Sequence, residues 1–211
     1  MEKKLIDYFD KPDVIGIIAD VNEGKSLLIY YLIKELQKDY TFNLVTFGLK
    51  SKIAGAETIN SLEQLEAVRD SIIFIDEFYT LFDLDDRKKK RQIERTLRLI
   101  NHHNNILVLV GVPENFKKFI SGKISTCFYK KVTINDFING SSVKGNLTSY
   151  EGIGMGSKTL NLAKNEVLVF DKNYKIFPVD YLKEYDSKLN NKDIFVQKKC
   201  SENVEDGIQT I

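Results

Sequence analysis

The residues with the clearest chemical potential lie in one stretch near the start of the chain. It reads VIGIIADVNEGKSLL, an apolar run followed by a polar turn and then by Gly24, Lys25 and Ser26. This layout is typical of a loop that binds phosphate, because its backbone N–H groups point at an anion and the next helix adds its positive end. Lys25 would reach the β- and γ-phosphates of a nucleotide, and the Ser26 hydroxyl would ligate Mg²⁺.

The loop departs from the strict phosphate-binding pattern at its first position. That pattern begins with glycine, whereas this chain has Ala19. Asn22 stands where many such loops have a further glycine, and asparagine tolerates left-handed backbone angles better than other non-glycine residues. The residues predicted to surround the phosphates are Asp20, Val21, Asn22, Glu23, Gly24, Lys25, Ser26 and Leu27. The alternative is a helix that starts with lysine and serine after a buried strand and binds no ligand.

A second chemical signal follows in the stretch IIFIDE, which ends in Asp76 and Glu77. Apolar residues followed by acids are typical of a strand that is buried on both faces and ends at the functional edge of a parallel sheet. Asp76 can hold Mg²⁺ through its water shell, and Glu77 can deprotonate the water that attacks the γ-phosphate. The pair favours hydrolysis over transfer to a metabolite, since small-molecule kinases seldom need this glutamate. Adjacent acids also occur as ordinary surface residues.

The stretch RKKKRQIERTLRLI predicts a helix with two unlike faces. At about 100° per residue, its arginines share one face, and Ile93, Leu97 and Ile100 lie on the opposite face. The arginines are Arg87, Arg91, Arg95 and Arg98. Such a stripe could contact DNA phosphates or supply an arginine to the ATP of a neighbouring subunit. The alternative is a solvated face with an ion pair from Glu94 to Arg98.

Composition places these motifs in an ordinary globular chain. The 211 residues are 43% hydrophobic, and a net charge of +1 commits the surface neither to nucleic acid nor to a membrane. The apolar runs are far shorter than the roughly 20 residues of a membrane helix, and the first residues lack the apolar segment of a secretory signal. Cys127 and Cys200 have no metal-type spacing, and the adjacent His102 and His103 point to different helix faces. We therefore expect a cytosolic protein that does not itself span a membrane.

Alternating strands and helices must position the chemical residues. Apolar runs predict strands at 14–19, 42–47, 71–76 and 106–110. Between them we expect a helix whose apolar residues recur from 29 to 36 and a short helix that Ser61 and Gln64 begin as a capping box. A helix over 86–101 and another opened by Pro113 follow. This alternation predicts a parallel sheet.

The pattern changes beyond residue 126. Residues 127–134 alternate like a strand, and residues 167–170 are expected to pair with 175–179 across a turn. From about residue 182 onward, charged and amide side chains dominate without periodicity. We therefore predict three parts of the chain. They are a P-loop ATPase core over 1–135, a β-rich extension packed on the core over 136–181, and a polar tail or arm over 182–211.

The loop ADVNEGKS, the acidic strand IIFIDE and the strand ILVLVGVP, in this order, resemble the additional-strand P-loop ATPases. Within that group, the compact length, the basic helix and the β-rich end are similar to the HerA/FtsK-type genome-packaging ATPases of double-stranded DNA viruses and to their zonula-occludens-toxin-like phage relatives. The resemblance covers about residues 12–135. It implies an α/β fold, namely a P-loop NTPase three-layer sandwich with a mostly parallel central sheet and a small C-terminal β extension.

The resemblance also implies a function. The protein would hydrolyse ATP and translocate or package double-stranded DNA as a homo-oligomeric ring, with a capsid or membrane-vertex protein as a further partner, in the host cytoplasm or with the virion. Lys25 and Ser26 would bind ATP and Mg²⁺, Asp76 would support the metal, and Glu77 would be the catalytic base. The arginine supplied in trans to a neighbouring ATP would be Arg87, Arg91 or Arg95.

Two departures from the family pattern keep other functions open. Ala19 stands in place of the first loop glycine, and the glutamine common after the sensor strand of such ATPases is found neither at Gly111 nor at Val112. Asn115 or Asn104 would be its substitute. The first alternative is therefore an ATP-dependent assembly or switch protein with little turnover. The second is a small P-loop kinase, which the acid pair after the buried strand disfavours.

Overall fold

One mostly parallel sheet positions the residues singled out above. A computed structural model of the chain describes residues 3–39, 42–49, 52–81, 94–98, 102–116, 123–131, 161–171 and 174–180. Its strands are β1 (Val14–Ile18), β2 (Asn43–Phe47), β3 (Glu57–Ile59), β4 (Ser71–Ile75), β5 (Ile106–Gly111), β6 (Thr126–Tyr129), β7 (Glu166–Phe170) and β8 (Tyr174–Pro178). Within the described residues these eight strands form one sheet in the order β3-β2-β4-β5-β1-β6-β7-β8.

Helices cover both faces of this sheet. The described helices are α1 (Lys25–Asp39), α2 (Leu62–Ala67) and α3 (Phe78–Leu81), with 3-10 helices at Leu5–Phe9 and Pro113–Asn115 and helical residues at 94–98. The first 3-10 helix and α1 pack on one face, whereas Leu65, Phe78 and Leu97 pack on the other. The predicted three-layer α/β sandwich is therefore confirmed. Among the helices described, none has the length and hydropathy needed to cross a bilayer.

The centre of the sheet consists of β4, β5 and β1, which are buried along their whole length. Their apolar runs do not alternate because helices exclude water from both faces. β5 pairs with β1 on one side and with β4 on the other, and all these pairs are parallel. β5, which follows the acid pair in the sequence, therefore lies between β4, which ends at the acids, and β1, which leads into the loop. This is the additional strand that the resemblance implies.

The far side of the sheet continues beyond β1. β6 pairs with β1 in parallel, and β7 and β8 follow as an antiparallel hairpin. The predicted pairing of 167–170 with 175–179 is confirmed. The hairpin extends the central sheet through β6, and the division of the chain at residue 135 stays a prediction.

Some expectations differ from the structure or lie outside its described residues. β3 was not predicted, because three residues at a sheet edge carry too little periodicity. The 3-10 helix Leu5–Phe9 was also missed, although Phe9 is fully buried. Of the helix predicted over 86–101, residues 94–98 are described and helical. The tail over 182–211 and the whole of 136–160 lie outside the described residues.

The predicted capping box at α2 is confirmed. The Ser61 hydroxyl accepts a hydrogen bond from the Gln64 backbone N–H at 3.2 Å, and the Gln64 side chain accepts one from the Ser61 N–H at 3.1 Å. Replacing Ser61 by alanine should lower the free energy of unfolding by about 1 kcal/mol, because loss of the Ser61 hydroxyl leaves the Gln64 N–H of the helix without its capping partner. Urea unfolding monitored by circular dichroism measures this loss. An unchanged midpoint would show that the cap does not stabilise α2.

Candidate functional site at the carboxyl edge of the sheet

The predicted site residues meet where parallel strands end. Ile18 of β1 is in register with Gly111 of β5, so the ends of these strands lie side by side. The next residue, Ala19, donates its backbone N–H to the Gly111 carbonyl at 3.3 Å, and the Asp20 N–H bonds to the Lys131 carbonyl at 3.3 Å. The loop is therefore fastened to both strands that flank β1.

The loop backbone adopts the conformation that its sequence allows. Asn22 and Gly24 have φ angles of 64° and 85°. Both lie in the left-handed region, which glycine enters freely and asparagine tolerates better than most residues. α1 begins at Lys25, directly after these turns, and the Leu28 N–H makes an early helical bond to the Gly24 carbonyl at 3.0 Å. The arrangement presents loop backbone and a helix amino end to the same space.

Lys25 occupies the centre of this loop. Its Nζ donates hydrogen bonds to the carbonyls of Ala19 at 2.9 Å and Asp20 at 2.6 Å. Burial lowers the pKa of Lys25, and nearby carboxylates oppose that shift. In decreasing order of effect, these are Asp76, Asp20, Glu77 and Glu114. The structure thus brings the loop lysine and the predicted acid pair into electrostatic contact.

The acid pair is held by the end of the neighbouring strand β2. The Asp76 N–H bonds to the Phe47 carbonyl at 3.0 Å, and an Asp76 carboxylate oxygen accepts the Glu77 N–H at 3.0 Å. Glu77 is exposed and has a φ of 47°, a strained angle for a residue with a side chain. Such strain concentrates at functional sites, where the surrounding structure holds it. The sharp turn directs the chain away from the sheet directly after Asp76.

Gly48, which the sequence did not single out, supports this turn. Its φ is 78°, and a Cβ built on it would lie 2.7 Å from the Asp76 carbonyl oxygen. No side chain fits at that distance. A glycine directly after a predicted strand was the available signal, since glycine there indicates a close backbone approach.

Of the two substitutes considered for a γ-phosphate contact, the structure places only Asn115 at this edge. Gly111 has no side chain, and the Asn115 Cβ lies 3.6 Å from where a Gly111 Cβ would be. The Asn115 Nδ2 is buried and has no hydrogen-bond partner among the described residues. Asn104 precedes β5 at the opposite edge, where its side chain donates to Asp70 at 2.8 Å. The proposal of Asn104 as a phosphate contact is therefore wrong.

The arginine helix is described only in part. Arg87 and Arg91 lie outside the described residues, whereas Arg95 is exposed and Leu97 is buried, as the two predicted faces require. The neighbouring Thr96 hydroxyl donates to the Glu66 carboxylate at 3.0 Å, which places this segment beside the end of α2, just before β4 begins. Arg95 is thus not brought to Lys25 within the chain.

A buried lysine near the loop was missed by sequence reasoning. Lys130 directly follows β6 and is 1% exposed. In the sequence it is followed by Lys131, and two adjacent lysines at the end of a strand are usually exposed to solvent. Only the pairing of β6 with β1 brings it to the loop. The sequence carried no signal of that pairing.

The donor set at this edge fits Mg²⁺ with a nucleotide. The Ser26 hydroxyl in the first turn of α1 and the Asp76 carboxylate are hard oxygen ligands, which Mg²⁺ prefers. Carboxylates crowd Lys25, so a bare triphosphate would meet repulsion that a bound divalent cation removes. Glu77 adds a carboxylate that can accept a proton from water. The donor set at this edge is therefore of the kind that a metal–nucleotide complex and a water-activating base require.

These features define the class of fold. A loop joins β1 to α1, the acid pair follows β4, and β5 separates the two strands in a mostly parallel sheet. The chain has the fold of the additional-strand P-loop ATPases, as its sequence motifs predicted. No family model matches the sequence, and no curated protein is similar to it in sequence.

Solved structures share this fold with the chain. The DNA-packaging ATPase B204 from Sulfolobus turreted icosahedral virus has a TM-score of 0.61 and 15% identity, covering 81% of this chain and 98% of that chain. B204 from Sulfolobus turreted icosahedral virus 2 in complex with ATP-gammaS has a TM-score of 0.59 and 14% identity, covering 81% and 98%. The pCW3 conjugation coupling protein TcpA, also with ATPgS, has a TM-score of 0.56 and 14% identity, covering 87% and 64%. At these identities the likeness establishes the fold.

Proposed function

We propose that this chain is an ATPase that translocates or packages double-stranded DNA. The observation that carries the proposal is the placement of the Lys25 loop after β1 and of the acid pair Asp76 and Glu77 after β4 at the same edge of the sheet, with β5 between the two strands. ATP hydrolysis needs a cation for the phosphates, an oxygen ligand for Mg²⁺ and a base for water, and this edge offers each of them. The B204 complex with ATP-gammaS supports nucleotide binding at such a fold.

The roles follow from the chemistry of each group. Lys25 leaves the loop carbonyls to bind the β- and γ-phosphates, while the backbone from Asp20 to Leu27 surrounds them. Ser26 ligates Mg²⁺, and Asp76 holds it directly or through water. Glu77 orients the attacking water and takes its proton. The left-handed turn at Glu77 supports this role, because it carries the carboxylate beyond the strand end.

DNA and a ring are the finer parts of the proposal. B204 is a DNA-packaging ATPase, and TcpA is a conjugation coupling protein. The first of these names supports DNA as the driven substrate, which we propose to be double-stranded. One arginine from the basic helix, Arg87, Arg91 or Arg95, completes the ATP site of the next subunit in a homo-oligomeric ring. The exposed side chain of Arg95, remote from Lys25 of its own chain, suits such a role.

Steady-state hydrolysis tests this function. The ATPase rate is measured with and without linear double-stranded DNA over a range of protein concentrations, with Glu77→Gln as the inactive background. We expect DNA to stimulate turnover, and the stimulated rate per chain to rise cooperatively with concentration as rings assemble. An ATPase rate that depends neither on DNA nor on protein concentration would contradict the proposed DNA translocation. It would support ATP hydrolysis alone.

One observation favours a second candidate, an ATP-dependent assembly or switch protein. Gly111 has no side chain to contact the γ-phosphate, and Phe78 and Phe116 close the space where a Gly111 side chain would begin. Tight ATP binding with almost no hydrolysis, in the presence of DNA as well, would establish the switch.

We propose that Asn115 distinguishes slow from productive hydrolysis. Replacing it by alanine should lower kcat by about 10²-fold if its buried Nδ2, which has no hydrogen-bond partner among the described residues, donates to the phosphate charge that develops during the reaction. ADP affinity should stay unchanged, since ADP lacks the γ-phosphate. The matched control is Asn104→Ala at the opposite edge, which should leave kcat unchanged. Equal kcat values for the wild type and Asn115→Ala would remove Asn115 from the reaction.

A further inference from the structure

A buried cation lies behind the phosphate loop. The Lys130 Nζ donates hydrogen bonds to the carbonyls of Lys164 and Glu166, the second at 3.2 Å. The Lys130 Cε lies 3.5 Å from the point that a Cβ on Gly24 would occupy. Lys130 also donates its backbone N–H to the carbonyl of Ile18, the last residue of β1, at 3.0 Å. The lysine thus connects the loop with the segment that starts β7.

Burying a lysine in this place is costly. Burial lowers the pKa of Lys130 to about 8, although the carboxylates of Glu23 and Glu166 act in the opposite direction. The two acceptor carbonyls compensate only part of the lost hydration of an ammonium group. An aliphatic side chain of similar volume would fill the space without that cost. A cation here therefore suits a site that must also attract an anion.

We propose that Lys130 is a second cation of the nucleotide site, which attracts the phosphates from behind the loop and ties the loop to β7. The inference rests on the proposed ATP site. Lys25 faces several carboxylates, so its own charge is partly offset before the phosphates bind. Lys130 supplies a further positive charge from inside the protein, where the low dielectric strengthens its attraction for phosphate. It acts through the loop, and is a positioning residue without a part in bond breaking.

The proposal predicts a pH dependence of nucleotide binding. Phosphate binds the protonated lysine, so affinity is full below a pKa of about 8 and falls as pH rises through it. Among the described residues, the carboxylates that act on Lys130 are those of Glu23 in the loop and Glu166 at the start of β7. Lys25 also has a lowered pKa, but it is present in every variant compared.

Calorimetric titration of MgATP at pH 7.5 and 9.0 tests the inference. For the wild type we expect affinity to fall by up to about tenfold between these values, as one protonation requires. Lys130→Met should bind several-fold more weakly at pH 7.5 and lose most of the pH dependence. The control Lys123→Met removes an exposed lysine before β6 and should behave as the wild type. Thermal melting confirms that each variant is folded.

A second variant separates charge from hydrogen bonding. Lys130→Gln keeps an N–H donor for the carbonyls without the charge, so it should bind as weakly as Lys130→Met. It also decides the question if Lys130→Met does not fold. Wild-type affinity in Lys130→Gln would overturn the inference and leave the ATP site intact. A wild-type protein that binds no MgATP would overturn both proposals.

Discussion

Replacing Glu77 by glutamine is expected to lower kcat for ATP hydrolysis by about 10²- to 10⁴-fold, the usual contribution of a general base. Glutamine keeps the length and the hydrogen-bonding oxygen of the side chain but cannot accept a proton from water. ATP affinity should be retained or should rise, because the variant removes one carboxylate that faces Lys25 and repels the phosphates. Phosphate release and equilibrium binding of ATP measure the two effects.

Glu114→Gln is the matched control for this experiment. Glu114 also acts electrostatically on Lys25. It lies in the 3-10 helix that follows β5, however, and not in the turn after β4 that carries Glu77. Replacing Glu114 should change kcat by less than about threefold, because the variant loses only an exposed charge and keeps the group that activates water. If both variants lost activity equally, the loss would reflect the charge of the site, and Glu77 would not be the base.

Gly48→Ala is the second variant with a large expected effect. Its φ of 78° costs an alanine about 1–2 kcal/mol, and its Cβ would meet the Asp76 carbonyl oxygen at 2.7 Å. Since that oxygen belongs to the backbone, the turn after β4 must shift. We expect a loss of about 2–4 kcal/mol in the free energy of unfolding, and a fall in kcat of at least about tenfold as Glu77 moves from its position. Urea unfolding and steady-state kinetics provide both numbers.

The chain offers a close control at Gly55. Its φ is also 78°, but the atoms that crowd its Cβ belong to the flexible side chain of Gln37, which can rotate away. Gly55→Ala should therefore cost stability through its backbone angle and through the exposed hydrogen bond from the Gln37 Nε2 to the Ala54 carbonyl, and leave kcat unchanged. Equal losses of activity in the two variants would show that the contact between Gly48 and Asp76 does not position the acids.

The sequence predicted the parts of the molecule that depend on near neighbours. The periodic α1, the capping box at Ser61 and the strand before the acid pair are signals within about ten residues, and the structure confirms these elements. The resemblance identified the fold because its motifs follow the strand order that the sheet requires. The roles of the site residues stay predictions, although the structure brings Lys25, Asp76 and Glu77 together.

What the sequence did not show depends on contacts between distant segments. Lys130 was not singled out from the sequence, because only the pairing of β6 with β1 buries it beside the loop. The requirement for glycine at position 48 comes from the nearby Asp76 carbonyl. Interest in Asn115 as a phosphate contact comes from its position beside Gly111, which has no side chain. Strand pairing and register determine these neighbours, and periodicity along one chain contains neither.

The contact between Asn104 and Asp70 has a practical consequence. It joins the amino ends of β4 and β5 on the side of the sheet that faces away from the loop, and both residues have left-handed backbone angles, 58° and 48°. This end lies the length of a five-residue strand, roughly 15 Å, from the loop end, and the effects of substitutions at two such separate places usually add independently. Stabilising substitutions can therefore be selected at the amino ends of these strands, whereas the proposed catalytic residues constrain the sequence at the carboxyl ends. Directed evolution restricted to residues at the amino ends of β4 and β5 could yield a more thermostable protein in which the proposed site residues are unchanged.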